Sequence, residues 1–254
     1  MPRHRLLAIV LGCLAALAVL VFLALVLLAP RLTPVAEPEP NLPHAVAVPT
    51  VPPSNIGGYN VATLADPAWV ARVAEATGIP PRVLAAYGGA AIAMEGEHPY
   101  CNLGWNTLAG VGQIESHHGT ANGSSIGADG NTTVPIIGPE LKGEGFSPQA
   151  DSDQGALDGD TAGDRAVGPM QFLPSTWAVY ASDGNADGVM NPQNIDDAVM
   201  AAARYLCQAG DGDQHDPVVW RDAIAGYNAS DAYIADVADA ANRYAAAVAS
   251  PRLK

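Results

Sequence analysis

Val111-Gly112-Gln113-Ile114-Glu115-Ser116-His117-His118-Gly119 is the stretch from which the rest of the chain can be ordered. At 3.6 residues per turn Leu108, Val111, Gly112 and Glu115 share one helix face, so a carboxylate stands where the apolar pattern expects core. A charge there has to be neutralised, paired or put to use. Gly119 marks the end of the helix, where the dipole disfavours an anion; burial acts in the same direction, and both raise the pKa of Glu115. A carboxylic acid that stays protonated near neutral pH is what glycoside cleavage needs as a general acid, which makes Glu115 the candidate catalytic residue. The competing reading is a helix-end glutamate that swings into water.

The surrounding chain has 254 residues and a net charge of -14. Once an N-terminal segment is subtracted, about 190 residues remain, enough for one domain with a real core. Sparse Lys and Arg argue against nucleic acid or anionic lipid as partner of the folded part, and the acidic balance favours solubility and bound cations.

Residues 6–29 are continuously apolar and follow Arg3, His4 and Arg5. Such a run spans a bilayer core of about 30 Å, and it lacks the shorter apolar core and small-residue cleavage site of a signal peptide. The expected layout is a cytoplasmic N-terminus over 1–5, a single transmembrane helix over 6–29 and an extracytoplasmic remainder. Cys13 sits in a faint lipoprotein-like box, but the apolar run continues beyond it, so it reads as a membrane-helix residue. From 30 to 60 recurrent prolines (Pro34, Pro38, Pro40, Pro43, Pro49, Pro52) predict an extended linker. At about 3.1 Å per residue, roughly 25 extended residues of it could hold the domain up to ~80 Å from the membrane, or serve as a linker with no ruler function.

The domain over 61–254 reads as mostly helical. Asp66-Pro67 and Pro80-Pro81 open two helices that stop near Gly78 and Gly96, and the Glu115 helix runs from about 104 to 118. Helical patterns return over 175–180, 196–208, 216–227 and 230–249. Between them, 119–168 is rich in Gly, Asp, Ser and Asn, with only 132–137 resembling a short strand. A stretch this long without regular structure is usually functional, which places it along a groove near Glu115, with disorder as the alternative. The sequons at Asn122, Asn131 and Asn228 matter only in a eukaryotic secretory context, which nothing in the sequence supports.

Outside the membrane segment the cysteines are Cys101 and Cys207, an even pair that suggests a disulfide over two buried thiols. Asp183, Asn185, Asp187, Val189 and Asn191, with Gly188 at the turn, match the first half of an EF-hand calcium loop. The twelfth position is Asn194 in place of Glu, which weakens affinity to about 0.1–1 mM unless Asp196 or Asp197 substitutes. An Asx-rich turn is the alternative. Neighbouring His117 and His118 do not face one site on a helix and no third ligand has helical spacing, which argues against zinc, and the favoured reading is cations at a helix C-terminus.

Four segments then fall into one ordered pattern: Gly112-Gln113-Ile114-Glu115-Ser116-His117-His118-Gly119; Arg165-Ala166-Val167-Gly168-Pro169-Met170-Gln171-Phe172-Leu173-Pro174-Ser175-Thr176-Trp177; the Asp183 loop with Asn194-Ile195-Asp196-Asp197-Ala198; and Ala225-Gly226-Tyr227-Asn228. Together they resemble membrane-anchored lytic murein transglycosylases of the family B type, within the lysozyme-like superfamily, over about 80–249. The resemblance implies a mainly α, α+β lysozyme-like single domain with an embedded EF-hand-like calcium loop, after an N-terminal transmembrane helix. It also implies bacterial peptidoglycan as substrate, a structural Ca2+, and no cofactor for catalysis. Glu115 would act alone, as acid and then base, on the bond between N-acetylmuramic acid and N-acetylglucosamine, giving a 1,6-anhydro product. Gln171 would line the cleft, and Tyr227 with Asn228 would bind sugar. The residues themselves leave other roles open: Gln171 capping backbone, Tyr227 in the core, Asn228 capping the last helix. A hydrolytic muramidase would need a second carboxylate, for which Asp129, Asp151, Asp153, Asp158, Asp160 and Asp164 are available. A non-catalytic, calcium-dependent wall-binding module is the third reading. Protein partners are not encoded in any recognisable motif.

Overall fold

The computed structural model describes residues 43, 46, 48, 49, 60–141 and 149–249. The expected cytoplasmic N-terminus and the transmembrane helix over 6–29 lie outside the described residues. Among those described, no helix is long and apolar enough to cross a membrane.

Among the described residues, seven α-helices are built on local signals. After a 3-10 turn at Val61–Thr63, helix α1 (Pro67–Thr77) is capped by Asp66, whose Oδ1 accepts Trp69 N–H at 2.7 Å, and it ends in left-handed Gly78. Helices α2 (Pro81–Glu97) and α3 (Trp105–Ser116) follow. Then come α4 (Pro174–Tyr180), α5 (Ile195–Gly210), α6 (Pro217–Tyr227) and α7 (Asp231–Ala249). Pro at the first turn of α1, α2, α4 and α6 supplies the preset φ without losing an intrahelical bond. Two ends differ from expectation. Helix α3 stops at Ser116, two residues short of His118, because His117 already takes the left-handed conformation at φ 51°. Helix α5 includes Gly210 and is closed by left-handed Asp211.

Helix α3 lies at the centre, packed on α2, α5 and, most extensively, α7. Its Trp105, Leu108 and Val111 are fully buried, and Trp105 meets Trp69 edge to face at 5.4 Å. Helix α7 brings Ile234, Val237, Ala238, Ala241 and Tyr244 against it, an apolar stripe of helical period. The two backbones approach at Gly110, where a Cβ would lie 2.8 Å from the Val237 carbonyl oxygen. Cys101 and Cys207 are joined by a disulfide with a Cα separation of 5.5 Å, tying the segment before α3 to α5. Closing a loop of 106 residues stabilises the fold by roughly 4.7 kcal/mol in the chain-entropy account.

No strand forms among the described residues, and the strand-like run 132–137 makes only isolated bridges. Pro135 interrupts the run and Gly130 and Gly138 flank it, so neighbours pair one residue at a time: Ile126 with Thr132, Asn131 with Asn194, and Ile137 with Val167. The polar stretch after it is held by Asp side chains. Asp151 accepts Asp153 and Gly155 amides, Asp153 those of Ala156 and Leu157, Asp158 those of Asp160 and Arg165, and buried Asp164 both groups of Ser152. Part of the linker also packs on the domain. Val48 is buried, Val46 N–H donates to Asn106 Oδ1, and the Pro49 carbonyl accepts Asp66 N–H.

Candidate active site

Glu115 sits in the last turn of α3, half-buried, one residue before the helix gives way to the left-handed residues His117, His118 and Gly119. Its Oε1 accepts the hydroxyl of Tyr233 from the first turn of α7. Burial pushes the Glu115 carboxyl up from 4.5 to about 7, and the Tyr233 hydrogen bond opposes that shift by stabilising the anion. The result is an acid that is still substantially protonated at neutral pH.

Beside it runs the turn 168–171, whose three successive carbonyls are each bound by a side chain. Gln171 Nε2 donates to Gly168 O at 2.9 Å, Ser116 Oγ to Pro169 O at 2.6 Å, and the Tyr227 hydroxyl to Met170 O at 2.8 Å. Ser116, next to Glu115, thus fastens α3 to this turn, while Tyr227 fastens α6 to it. Gln171 itself is left-handed, φ 49°, and Gly168, φ 76°, passes so close to the Pro192 carbonyl that a Cβ there would overlap it. Tyr227 packs edge-on between Phe172 and Tyr205, and its hydroxyl is held far above its ordinary pKa by burial and then by Glu115 nearby. Asn228 closes α6, and its Oδ1 accepts Ser230 N–H just before α7. Glu115, Gln171 and Tyr227 therefore meet around one turn, and Asn228 stands where α6 gives way to the helix that carries Tyr233.

The His pair departs from the reading as two cations. His118 is buried, with its Nδ1 3.0 Å from the Tyr87 hydroxyl and its Nε2 2.8 Å from the Tyr244 hydroxyl. Burial drops its pKa from 6.5 to about 4, so it is neutral. An ideal helix continued through 118 would splay the two rings apart; the left-handed turn instead rotates His118 inward while His117 remains exposed.

The acidic loop is an ordered Asx-built turn. Asp183 carboxylate oxygens accept Asp187 and Gly188 amides, Asn185 Oδ1 accepts Asp187 N–H, and Asp187 Oδ1 accepts Val189 N–H. Asn191 Oδ1 accepts Gln193 N–H. Asn194, at the twelfth position, is the N-cap of α5 and accepts Asp196 N–H. Asp196, itself buried, pairs with the half-buried Arg82. Asp197 instead forms the floor of the loop, accepting Gly184, Asn185 and Asn191 amides, and burial lifts its carboxyl to about 6 with Asp183 adding repulsion. Elsewhere Asp151, Asp153 and Asp164 bring carboxylate oxygens within 4.8 Å of one another, each also engaged by the amides that shape their own turns.

Tyr233 is the site residue that the sequence did not single out. In α7 it precedes Ile234 and Val237 in an apolar stripe and reads as core. The available signal was the position of Tyr233 one turn into the helix that follows Tyr227-Asn228.

No curated protein and no solved structure matches the chain. Residues 146–221 match the family model described as Transglycosylase SLT domain. The matched part holds the turn 168–171, the Asp183 loop, α4 and α5; Glu115, Tyr227 and Tyr233 lie outside it. Over that part the chain is similar to a transglycosylase domain, and the helical architecture agrees with that similarity.

Proposed function

We propose that this protein is a peptidoglycan lytic transglycosylase of the family B type in which Glu115 serves first as acid and then as base. The observation that carries the reading is Glu115 itself, half-buried, with its carboxyl raised to about 7 and oriented by Tyr233. Protonated Glu115 delivers its proton to the oxygen linking N-acetylmuramic acid to N-acetylglucosamine, and that bond breaks. The resulting carboxylate takes the proton of the muramic 6-hydroxyl as that oxygen attacks C1, which closes the 1,6-anhydro ring and restores the acid. No water is consumed. The Tyr233 hydroxyl holds one carboxyl oxygen, leaving the other for the proton that moves. Gln171, Tyr227 and Asn228 are assigned to the sugar-binding wall.

The loop aspartates favour one acid over two. A second catalytic carboxylate has to face the reacting bond, whereas Asp151, Asp153, Asp158, Asp160 and Asp164 are engaged by amides of their own turns, and Asp129 accepts from Asn131. This supports the transglycosylase over the hydrolytic muramidase.

Within this reading the oxygen donors of Asp183, Asn185 and Asp187 with the Val189 carbonyl suit a hard cation such as Ca2+ in a structural role, with Asn191 beside them. Asn194 caps α5 and is the poorer fit; the buried anion of Asp197 is the better counter-charge at the base of the loop. The domain is assigned to the cell-wall side of the membrane, tethered by the helix expected over 6–29. Purified peptidoglycan incubated with the parent and with Glu115→Gln tests the catalytic assignment: soluble fragments are expected only from the parent. Equal release by both would remove Glu115 from the chemistry.

A further inference from the structure

Three aromatic or imidazole side chains the proposed chemistry does not use form one buried chain of hydrogen bonds behind Glu115. Tyr87 on α2 is fully buried, His118 follows α3, and Tyr244 lies on α7. The Tyr87 hydroxyl is 3.0 Å from His118 Nδ1, His118 Nε2 is 2.8 Å from the Tyr244 hydroxyl, and Tyr244 donates to Gln113 Oε1 at 2.9 Å. The rings also meet one another, His118 lying 5.7 Å from both Tyr87 and Tyr244.

Proton counting gives this chain one direction. Tyr244 has a single O–H, and it goes to Gln113; its oxygen must therefore accept from His118 Nε2–H. A neutral imidazole with its proton on Nε2 offers a lone pair at Nδ1, which accepts the Tyr87 O–H. Each donor in the chain then has an acceptor, and the tautomer of His118 is set by its two neighbours. The groups facing His118 are Tyr87 from α2, Tyr244 and Arg243 from α7, and His117 beside it.

The chain meets the backbone around Glu115 twice, at His118 and at Gln113. Gln113 precedes Glu115 by two residues and His118 follows it by three, while the Tyr87 hydroxyl rests against Gly112 so closely that a Cβ there would overlap it. His117, His118 and Gly119 are all left-handed, at φ 51°, 61° and 80°, a conformation that non-glycine residues keep only when their surroundings hold it. We infer that His118 is a positioning residue for Glu115: it ties α2 and α7 to the left-handed turn that ends α3 and thereby fixes where the Glu115 carboxyl points. This rests on Glu115 being the catalytic acid.

The test uses the full chain with His118→Phe, which keeps a ring but no nitrogen, and Tyr244→Phe, which removes one hydroxyl and leaves the backbone alone. Both are expected to lower kcat on peptidoglycan by roughly 10- to 100-fold with KM little changed, the signature of a misdirected reacting group. Both are also expected to move the alkaline limb of the pH profile to lower pH, because a loosened Glu115 gains water. His118→Gln, whose amide can donate to Tyr244, recovers part of the loss. Folded variants with the kcat and alkaline limb of the parent, or with a lowered Tm alone, would overturn the inference. A parent that releases nothing from peptidoglycan contradicts the proposed function instead, and the inference is then read from the carboxyl NMR titration of Glu115: a lowered midpoint in Tyr244→Phe supports it, an identical one overturns it.

Discussion

The hydroxyl of Tyr233 and the apolar packing around Glu115 pull the same carboxyl in opposite directions, and burial prevails. Removing the hydroxyl in Tyr233→Phe takes away the stabilisation of the anion, so the alkaline limb of activity is expected to move above the parent's value near pH 7 while kcat falls. An unmoved limb would separate Tyr233 from the acid. Stability follows from the same shift. In the unfolded chain Glu115 ionises near 4.5, in the folded chain near 7, so folding loses up to about 3 kcal/mol as pH rises between these values and nothing further above them. Glu115→Gln should therefore unfold at a higher temperature than the parent at pH 8, with the gap closing towards pH 4.5. His118 acts with opposite sign, losing stability as pH falls from 6.5 to about 4, which is why the difference between the two proteins is the informative quantity. Parallel curves would mean that Glu115 carries no such strain. At this scale Glu115 was legible because it interrupts an apolar stripe. Tyr233 and His118 were not: Tyr233 continues a stripe, and His118 is turned inward by backbone that helical periodicity does not describe.

Among elements, the contact of α3 with α7 decides whether the site exists, since α7 carries both Tyr233 and Tyr244. Gly110 lets the helices approach, and Gly110→Ala sets a Cβ 2.8 Å from the Val237 carbonyl. The expected outcome is a loss of about 1–3 kcal/mol in denaturant unfolding together with a drop in activity. Gly96→Ala in α2 meets nothing within 4 Å and should be neutral or stabilise by roughly 0.4–1 kcal/mol. Equal effects of the two would show that close approach at Gly110 is unimportant. Helix starts were readable because Asp66-Pro67 and Asp216-Pro217 announce them with a cap and a first-turn proline. The ends of α3 and α5 were not, because His117 and Asp211 take the left-handed conformation that the pattern assigns to glycine.

Across the molecule the acidic loop and the site are mechanically joined. Gln193, in the last part of the loop, accepts from Thr132 and Ile136 and donates to Ile136 O, and Gly168 N–H bonds the same carbonyl. If the loop takes Ca2+ with a Kd near 1 mM, calcium at tenfold excess should stabilise the fold by about 1.4 kcal/mol, seen as a raised Tm. An unchanged Tm contradicts the calcium assignment and leaves the catalytic one standing. The order of the four motifs put the acidic loop inside the domain but not its link to the site through Gln193, and the turns of the polar stretch after 149 depend on which amide each aspartate reaches, a matter of three-dimensional closure.

The claim that one carboxyl carries both proton transfers is tested most directly by mass spectrometry of the fragments released from purified peptidoglycan. Glu115 acting alone predicts 1,6-anhydromuramic ends, each one water lighter than a reducing end, from the first turnover onward. Reducing ends as the sole product would mean that water is the nucleophile, and would contradict the account.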